Sequence, residues 1–179
     1  LISNIKKANQ VKAEEKGNKI KLMIDDDVPD VVIGDSLRLG QVISNLVSKA
    51  VKFTANGSIT VELSFVKKVG NKAVMDISVI DTGIGIAENK QASIFEKFTQ
   101  ANSETTRQFG GTGLGLVITK KLLYLHNSDI HIESQLGKGS KFFFTIELEI
   151  GTALKNKVVE TNNELLNEST LKVVKILLV

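Results

Sequence analysis

The stretch Met75-Asp76-Ile77-Ser78-Val79-Ile80-Asp81-Thr82-Gly83-Ile84-Gly85-Ile86 decides the reading of this chain. Met75, Ile77 and Val79 alternate with Val74, Asp76 and Ser78, the period of a strand with one covered and one wet face. Asp81 continues the odd-numbered series, so its carboxylate is expected on the covered face, where an ionised group needs partners. A strand that carries a carboxylate inward and ends in a Gly-x-Gly turn is an unusual object. It directs attention to whatever Asp81 meets.

Upstream, Ile59, Val61, Leu63 and Phe65 alternate in the same way, and Gly70 and Asn71 supply a turn, so an antiparallel hairpin is expected. Before it, residues 35–53 switch to the helical period. Leu39, Val42, Ile43, Leu46, Val47 and Ala50 form a broad apolar stripe, with Asp35 or Ser36 as N-cap. The other face stacks Arg38, Gln41, Asn45, Lys49 and Lys52 into one polar ridge. Residues 19–25 alternate around Ile20, Leu22 and Ile24 as a strand. Residues 1–16 read as a helix with a thin stripe (Leu1, Ile5, Ala8, Lys12) and Gly17 as C-cap, a helix expected to lean on something outside this chain.

Downstream, residues 81–112 hold dense glycine and polar punctuation, broken by an apolar turn at Ile94, Phe95 and Phe98. A helix is expected over 114–126, then strands over 130–133 and 141–148, the latter with Phe142, Phe144, Ile146 and Leu148 on one face. Helices and antiparallel strands interleave without regular βαβ alternation. The expected fold class is therefore α/β, a two-layer sandwich of a mixed, mostly antiparallel sheet with helices on one face. Residues 151–170 read as a polar linker and residues 173–179 as a strand. The expected organisation is a helix and linker over 1–17, a main domain over 18–150, a linker over 151–170 and a further strand over 171–179.

Composition excludes several classes. With 179 residues, 42% of them apolar and 24% charged, the chain can bury a core. Basic residues number 23 and acidic ones 20, a net charge of +3 spread along the chain, which argues against a nucleic-acid partner. With no cysteine and two histidines, neither a disulfide framework nor a zinc site is expected. No apolar run approaches the roughly 18 residues of a membrane span. A cytoplasmic setting is expected, with a parent protein that could still be anchored in a membrane.

Two readings stay open at each candidate site. Asp81 either caps the Thr82–Gly83 turn or accepts a hydrogen bond from the exocyclic amine of a ligand base. Gly83 and Gly85 either make a tight turn or let the backbone approach a flat ligand. The segment Gly110-Gly111-Thr112-Gly113-Leu114-Gly115-Leu116 opens into a helix, so its bare N–H groups either start that helix from a loop or cradle a triphosphate. Neither glycine segment fits a dinucleotide fingerprint or a P-loop. Along the ridge, Asn45 offers an oxygen suited to Mg²⁺ while Lys49 and Lys52 suit phosphate, against the plainer reading of a solvated helix face.

In this order the segments resemble the ATP-binding catalytic domain of histidine kinases, in the superfamily shared with gyrase, Hsp90 and MutL. Residues 41–54 look like the N box, 81–86 the G1 box, 94–100 the F box and 106–116 the G2 box; Gly137 to Phe142 matches the closing strand. The resemblance covers residues 20–150 and implies binding of ATP with Mg²⁺. It implies that Asp81 binds the adenine amino group, helped by Ser140 through water, with Gly83, Gly85 and Ile86 beside the base. Residues 97–112 would form the ATP lid. Arg107 and Lys52 would contact phosphates, Gly111, Thr112, Gly113, Leu114, Gly115 and Leu116 would cradle them, and Asn45 would help hold Mg²⁺.

The phosphoacceptor would be a histidine on a separate dimerisation domain of a homodimeric parent. Neither His126, at a helix end, nor His131, on the outward face of a strand, stands in an acceptor context. Residues 1–16 resemble the tail of a dimerisation helix. Residues 171–179 resemble the first strand of a response-regulator receiver domain, which implies a hybrid kinase. One departure matters. The N box carries a second Asn four residues after the first, and here that position is Lys49. A charged ammonium cannot ligate a metal but can neutralise phosphate. Weakened Mg²⁺ dependence or impaired transfer is expected, and with the latter a degenerate regulatory domain. A stand-alone gyrase-type ATPase is disfavoured, since those carry Glu where Asn45 stands.

Overall fold

The computed structural model describes residues 1–96 and 114–152, together with the backbone of residues 173–175. Helix α1 (Ile2–Glu14) and strand β1 (Lys19–Ile24) are joined by a turn in which Gly17 takes a φ of +69°. Strand β2 (Val31–Ile33) and helix α2 (Ser36–Phe53) follow. Asp35 caps α2, accepting from the Leu37 and Arg38 N–H groups at 3.1 and 3.0 Å. The hairpin of β3 (Ser58–Val69) and β4 (Lys72–Asp81) turns at Gly70, φ +59°.

A short helix α3 (Glu88–Gln91) and a 3₁₀ turn (Ser93–Phe95) come next, then helix α4 (Gly115–Tyr124) and strands β5 (His131–Gln135) and β6 (Gly139–Ile150). Residues 173–175 form β7. The sheet order is β1-β3-β4-β6-β2-β7, with β5 also pairing β6. β1 pairs β3 in parallel; the other pairings are antiparallel.

The core lies between this sheet and the helices. Phe144, Ile146, Met75, Ile77, Val61 and Leu63 from the strands meet Ile43, Leu46 and Val47 of α2 and Leu123 of α4, all essentially inaccessible. This is the α/β sandwich expected, with the expected parity in β3, β4 and β6. Burying each such side chain contributes about 1.5–3 kcal/mol.

Four details differ from the sequence reading. First, β2 has only three residues after Pro29, too few to show a period, and went unread. Secondly, the buried stripe of α1 is Ile2, Ile5, Asn9 and Ala13, with Ala8 and Lys12 of the expected stripe exposed, and the helix packs on α2 and β1. Thirdly, the second face of β4 is not uniformly wet, since Val74 and Ser78 are buried there between the long neighbours β3 and β6. Fourthly, the C-terminal strand at Val173–Lys175 pairs antiparallel with β2.

Candidate nucleotide site

Asp81 ends β4 with its side chain on the covered face, 7% exposed. It lies opposite Ile59 on β3 and Ser140 on β6. The Gly83 N–H donates to Asp81 Oδ1 at 2.9 Å. Burial raises the carboxyl pKa above its ordinary value, while backbone N–H groups of Gly83 and Ser140 pull the other way. The turn-capping reading of Asp81 is thus realised. These bonds leave capacity, because a carboxylate has about four lone-pair sites.

Next to Asp81 lies a hydroxyl pair. Ser140 Oγ is 3.0 Å from Ser134 Oγ, which accepts from the Ile86 N–H (2.8 Å) and donates to the Gly139 carbonyl (2.9 Å). With its one proton spent on Gly139, Ser134 must accept from Ser140. Both Ser140 lone pairs then remain available beside the Asp81 carboxylate. Gln91 fastens the same loop, its Nε2 donating to the carbonyls of Ile86 (3.1 Å) and Ser134 (2.8 Å).

The glycines of this loop have a physical reason that sequence did not supply. A Cβ on Gly83 would run into the Phe53 carbonyl and lie 2.9 Å from Asp81 Oδ1. Gly85, at φ +66°, presses on the Gln135 carbonyl, and Gly139, at φ +112°, on the carbonyl of Asp81 itself. The space a side chain would take is filled largely by protein backbone. The Ile84 N–H bonds the Phe53 carbonyl (3.2 Å) and the Gly137 N–H the Ile84 carbonyl (2.7 Å), so the loop is tied to the end of α2 and to the β5–β6 turn.

On α2, Asn45 Nδ2 donates to Thr119 Oγ1 of α4 at 2.7 Å. Thr119 is buried and was not singled out from sequence. Gly115, the first residue of α4, faces Asn45 so closely that a Cβ would lie 3.0 Å from Nδ2. No side-chain cap closes α4 beyond Leu114. Its first N–H groups, Gly115 and Leu116 among them, are those a helix leaves without internal partners. Lys49, one turn after Asn45, is half-buried; burial first and the charge of Lys52 second hold its pKa below the ordinary lysine range. Lys52 places Nζ 5.1 Å from the Phe53 ring centre, and Lys16 Nζ bonds the Lys52 carbonyl at 2.7 Å.

Arg107, Gly111, Thr112 and Gly113 lie outside the described residues. His131 is exposed and tilted against the Phe143 ring at 5.4 Å, and His126 Nε2 is buried with no hydrogen-bond partner among the described residues. An open groove of about 820 Å³ runs between Phe95 and α4, bordered by Val117, Lys120, Tyr124 and Leu125. None of the expected site residues lines it.

Residues 34–150 match the family model described as histidine kinase-, DNA gyrase B- and HSP90-like ATPase. The chain belongs to this family. It is 46% identical over 138 residues to the signal transduction histidine-protein kinase BarA of Escherichia coli strain K12, which spans 77% of this chain and 15% of BarA. It is 38% identical over 149 residues to hybrid signal transduction histidine kinase F of Dictyostelium discoideum, 83% of this chain and 13% of that protein. The chain therefore spans about a seventh of the length of such relatives. Among solved structures it is similar to full-length ShkA in complex with AMPPNP, with a TM-score of 0.72 and 30% identity over 84% of this chain and 30% of ShkA. The catalytic domain of histidine kinase ThkA superposes with a TM-score of 0.62 and 25% identity, covering 83% of this chain and 90% of ThkA's.

The family resemblance implies Mg²⁺, and the donors can be compared with what that ion takes. Mg²⁺ is held by one or two carboxylates together with waters and phosphate oxygens. The α2 ridge offers two amide oxygens, Gln41 Oε1 and Asn45 Oδ1, and no carboxylate, with the Lys49 ammonium one turn beyond Asn45. Among the described residues no group of three His, Cys, Asp or Glu side chains could hold a metal ion. The donor set does not fit Mg²⁺.

Proposed function

We propose that this chain is the ATP-binding catalytic part of a sensor histidine kinase, presenting the γ-phosphoryl group to a histidine on a separate dimerisation domain. The observation that carries the reading is the buried Asp81 carboxylate, held by backbone N–H groups beside the free lone pairs of Ser140. That pairing is suited to the adenine 6-amino group: Asp81 accepts its hydrogen bond directly and Ser140 through a water. The AMPPNP-bound ShkA structure adds support, as a relative of the same fold that takes a nucleotide.

The remaining roles follow the same reading. Gly83, Gly85 and Ile86 frame the base. Gly115 and Leu116, with Leu114 before them, turn the open end of α4 toward phosphate, joined by Gly111, Thr112, Gly113 and Arg107. Lys49 and Lys52 supply positive charge, and Asn45, held by Thr119, directs its amide group toward phosphate and its bound solvent. Catalysis is then mostly positioning and charge neutralisation.

The parent is read as a homodimeric hybrid kinase: residues 1–17 lead in from the dimerisation domain, 18–150 bind ATP, 151–170 link, and 171–179 open a receiver domain. Incubating the chain with γ-labelled ATP and the upstream histidine domain in trans should transfer label to that domain. ATP hydrolysis by the chain alone, with no transfer, would overturn the reading in favour of a stand-alone ATPase. A second reading, a nucleotide-binding regulator without transfer, is favoured by Lys49; tight ATP binding with no labelled acceptor would select it.

A further inference from the structure

The family resemblance leaves one side chain of the site unexplained. Lys49 stands on the same face of α2 as Asn45, one turn on, and Lys52 follows three residues later. The ion pairs among the described residues are Arg38–Asp35, Lys72–Glu147 and Lys120–Asp129; none includes Lys49. Half-buried, it is held below the ordinary lysine range by desolvation and by Lys52, with no carboxylate among the described residues acting to raise it. Two ammonium groups at this spacing repel. A desolvated cation without a counter-charge is costly, and an arriving anion removes the cost. One turn back on the same face, Asn45 meets the first turn of α4 at Gly115, where Leu114 supplies no side-chain cap; that turn and the amide are both suited to an anion's oxygens.

We propose that Lys49 is a resident counter-ion of the nucleotide site, which neutralises the polyphosphate in place of a divalent cation, so that metal-free ATP binds at least as tightly as its Mg²⁺ complex. This rests on the ATP-binding reading above. A divalent cation brought in with the nucleotide would meet the Lys49 charge at close range in a partly desolvated place, where repulsion is poorly screened. The single amide oxygen of Asn45 does not offset that repulsion. An ammonium, a compact charge with three donors, satisfies non-bridging phosphate oxygens without any metal.

The test titrates ATP and adenosine calorimetrically into the 179-residue chain, in EDTA and in excess Mg²⁺, using wild type, Lys49→Asn and Lys49→Met. Thermal unfolding reports whether each variant is folded, and Lys49→Gln replaces Lys49→Met if the latter is not. The wild type should bind ATP equally or more tightly in EDTA. Lys49→Met should lose about tenfold of the metal-free affinity for ATP, with adenosine unaffected, the size expected for one charge-assisted contact. Lys49→Asn should acquire a preference for the Mg²⁺ complex. Tightening of the wild type by Mg²⁺ of about threefold or more, or undiminished metal-free binding by Lys49→Met, would overturn the proposal. Failure of the wild type to bind ATP or adenosine in either condition would instead overturn the nucleotide reading on which it rests.

Discussion

Asp81 and Lys49 are both charged groups withdrawn from water in one site, yet the protein treats them differently. The carboxylate receives backbone N–H groups from Gly83 and Ser140, and the loop carrying those groups is fixed by Gln91, Ser134 and three crowded glycines. Among the described residues, the ammonium has only like charge acting on it. One end of the site is therefore complete before a ligand arrives, and the other is left in electrostatic deficit. A pre-satisfied group gives selectivity, because its geometry is set in advance. A deficit gives affinity, because the ligand relieves it.

The largest test breaks the Asp81 end. Gly139→Ala places a Cβ on the Asp81 carbonyl at a φ of +112°, so one strand must shift. A loss of about 3 kcal/mol or more in denaturant unfolding is expected, together with loss of nucleotide binding. Asp81→Asn tests recognition alone. Its amide oxygen can still accept from Gly83 and Ser140, so the variant should stay folded, while ATP affinity falls by about ten- to a hundredfold in calorimetry.

pH separates the two groups by sign. The folded state raises the Asp81 pKa, so it binds this proton more tightly than the unfolded chain. The Asp81 contribution to stability is present below the unfolded value of 3.8 and is lost as pH rises through the folded one. Asp81→Asn should thus gain stability relative to wild type as pH rises above 3.8. The folded state lowers the Lys49 pKa, so the unfolded chain holds that proton more tightly, and stability rises with pH toward 10.5. Lys49→Met should flatten that alkaline rise in denaturant titrations, and saturating ATP should flatten it in wild type too.

The smallest expected effect is at the join between α2 and α4. Thr119→Val removes the acceptor for Asn45 Nδ2, costing about 1 kcal/mol and a few-fold in ATP affinity. If its ATP affinity equals that of wild type, Asn45 needs no orienting partner.

Much of the fold was legible because its signals are local. Period-two alternation in β3, β4 and β6 and the stripe of α2 need only neighbouring residues, and the inward parity of Asp81 followed by counting. β2 was illegible, since three apolar residues after Pro29 carry no period and gain their identity from pairing with β6 and β7. Ser134, Gln91 and Thr119 were missed because each acts on a partner distant in sequence. Thr119 holds Asn45 across 74 positions and Gln91 holds the Ser134 carbonyl across 43. The one cue was that Ser134 shares a face with Ile132. Gly83 and Gly85 were singled out with two readings open, a tight turn or a ligand's approach; the backbone atoms that a Cβ would meet came only from the fold.

By itself the sequence determined which faces of α2, β3 and β6 turn inward, where α2 and α4 begin and that a lysine stands at an asparagine's position, because these depend on side-chain type and spacing. Tertiary structure alone decided that Asp81 meets Ser140, that Asn45 meets Thr119 and that Lys49 meets no counter-charge among the described residues. Charge and hydrogen-bond satisfaction are properties of groups brought together from far along the chain. The same lysine would be a solvated surface cation on an isolated helix; packing against the domain is what leaves it half-buried beside like charge.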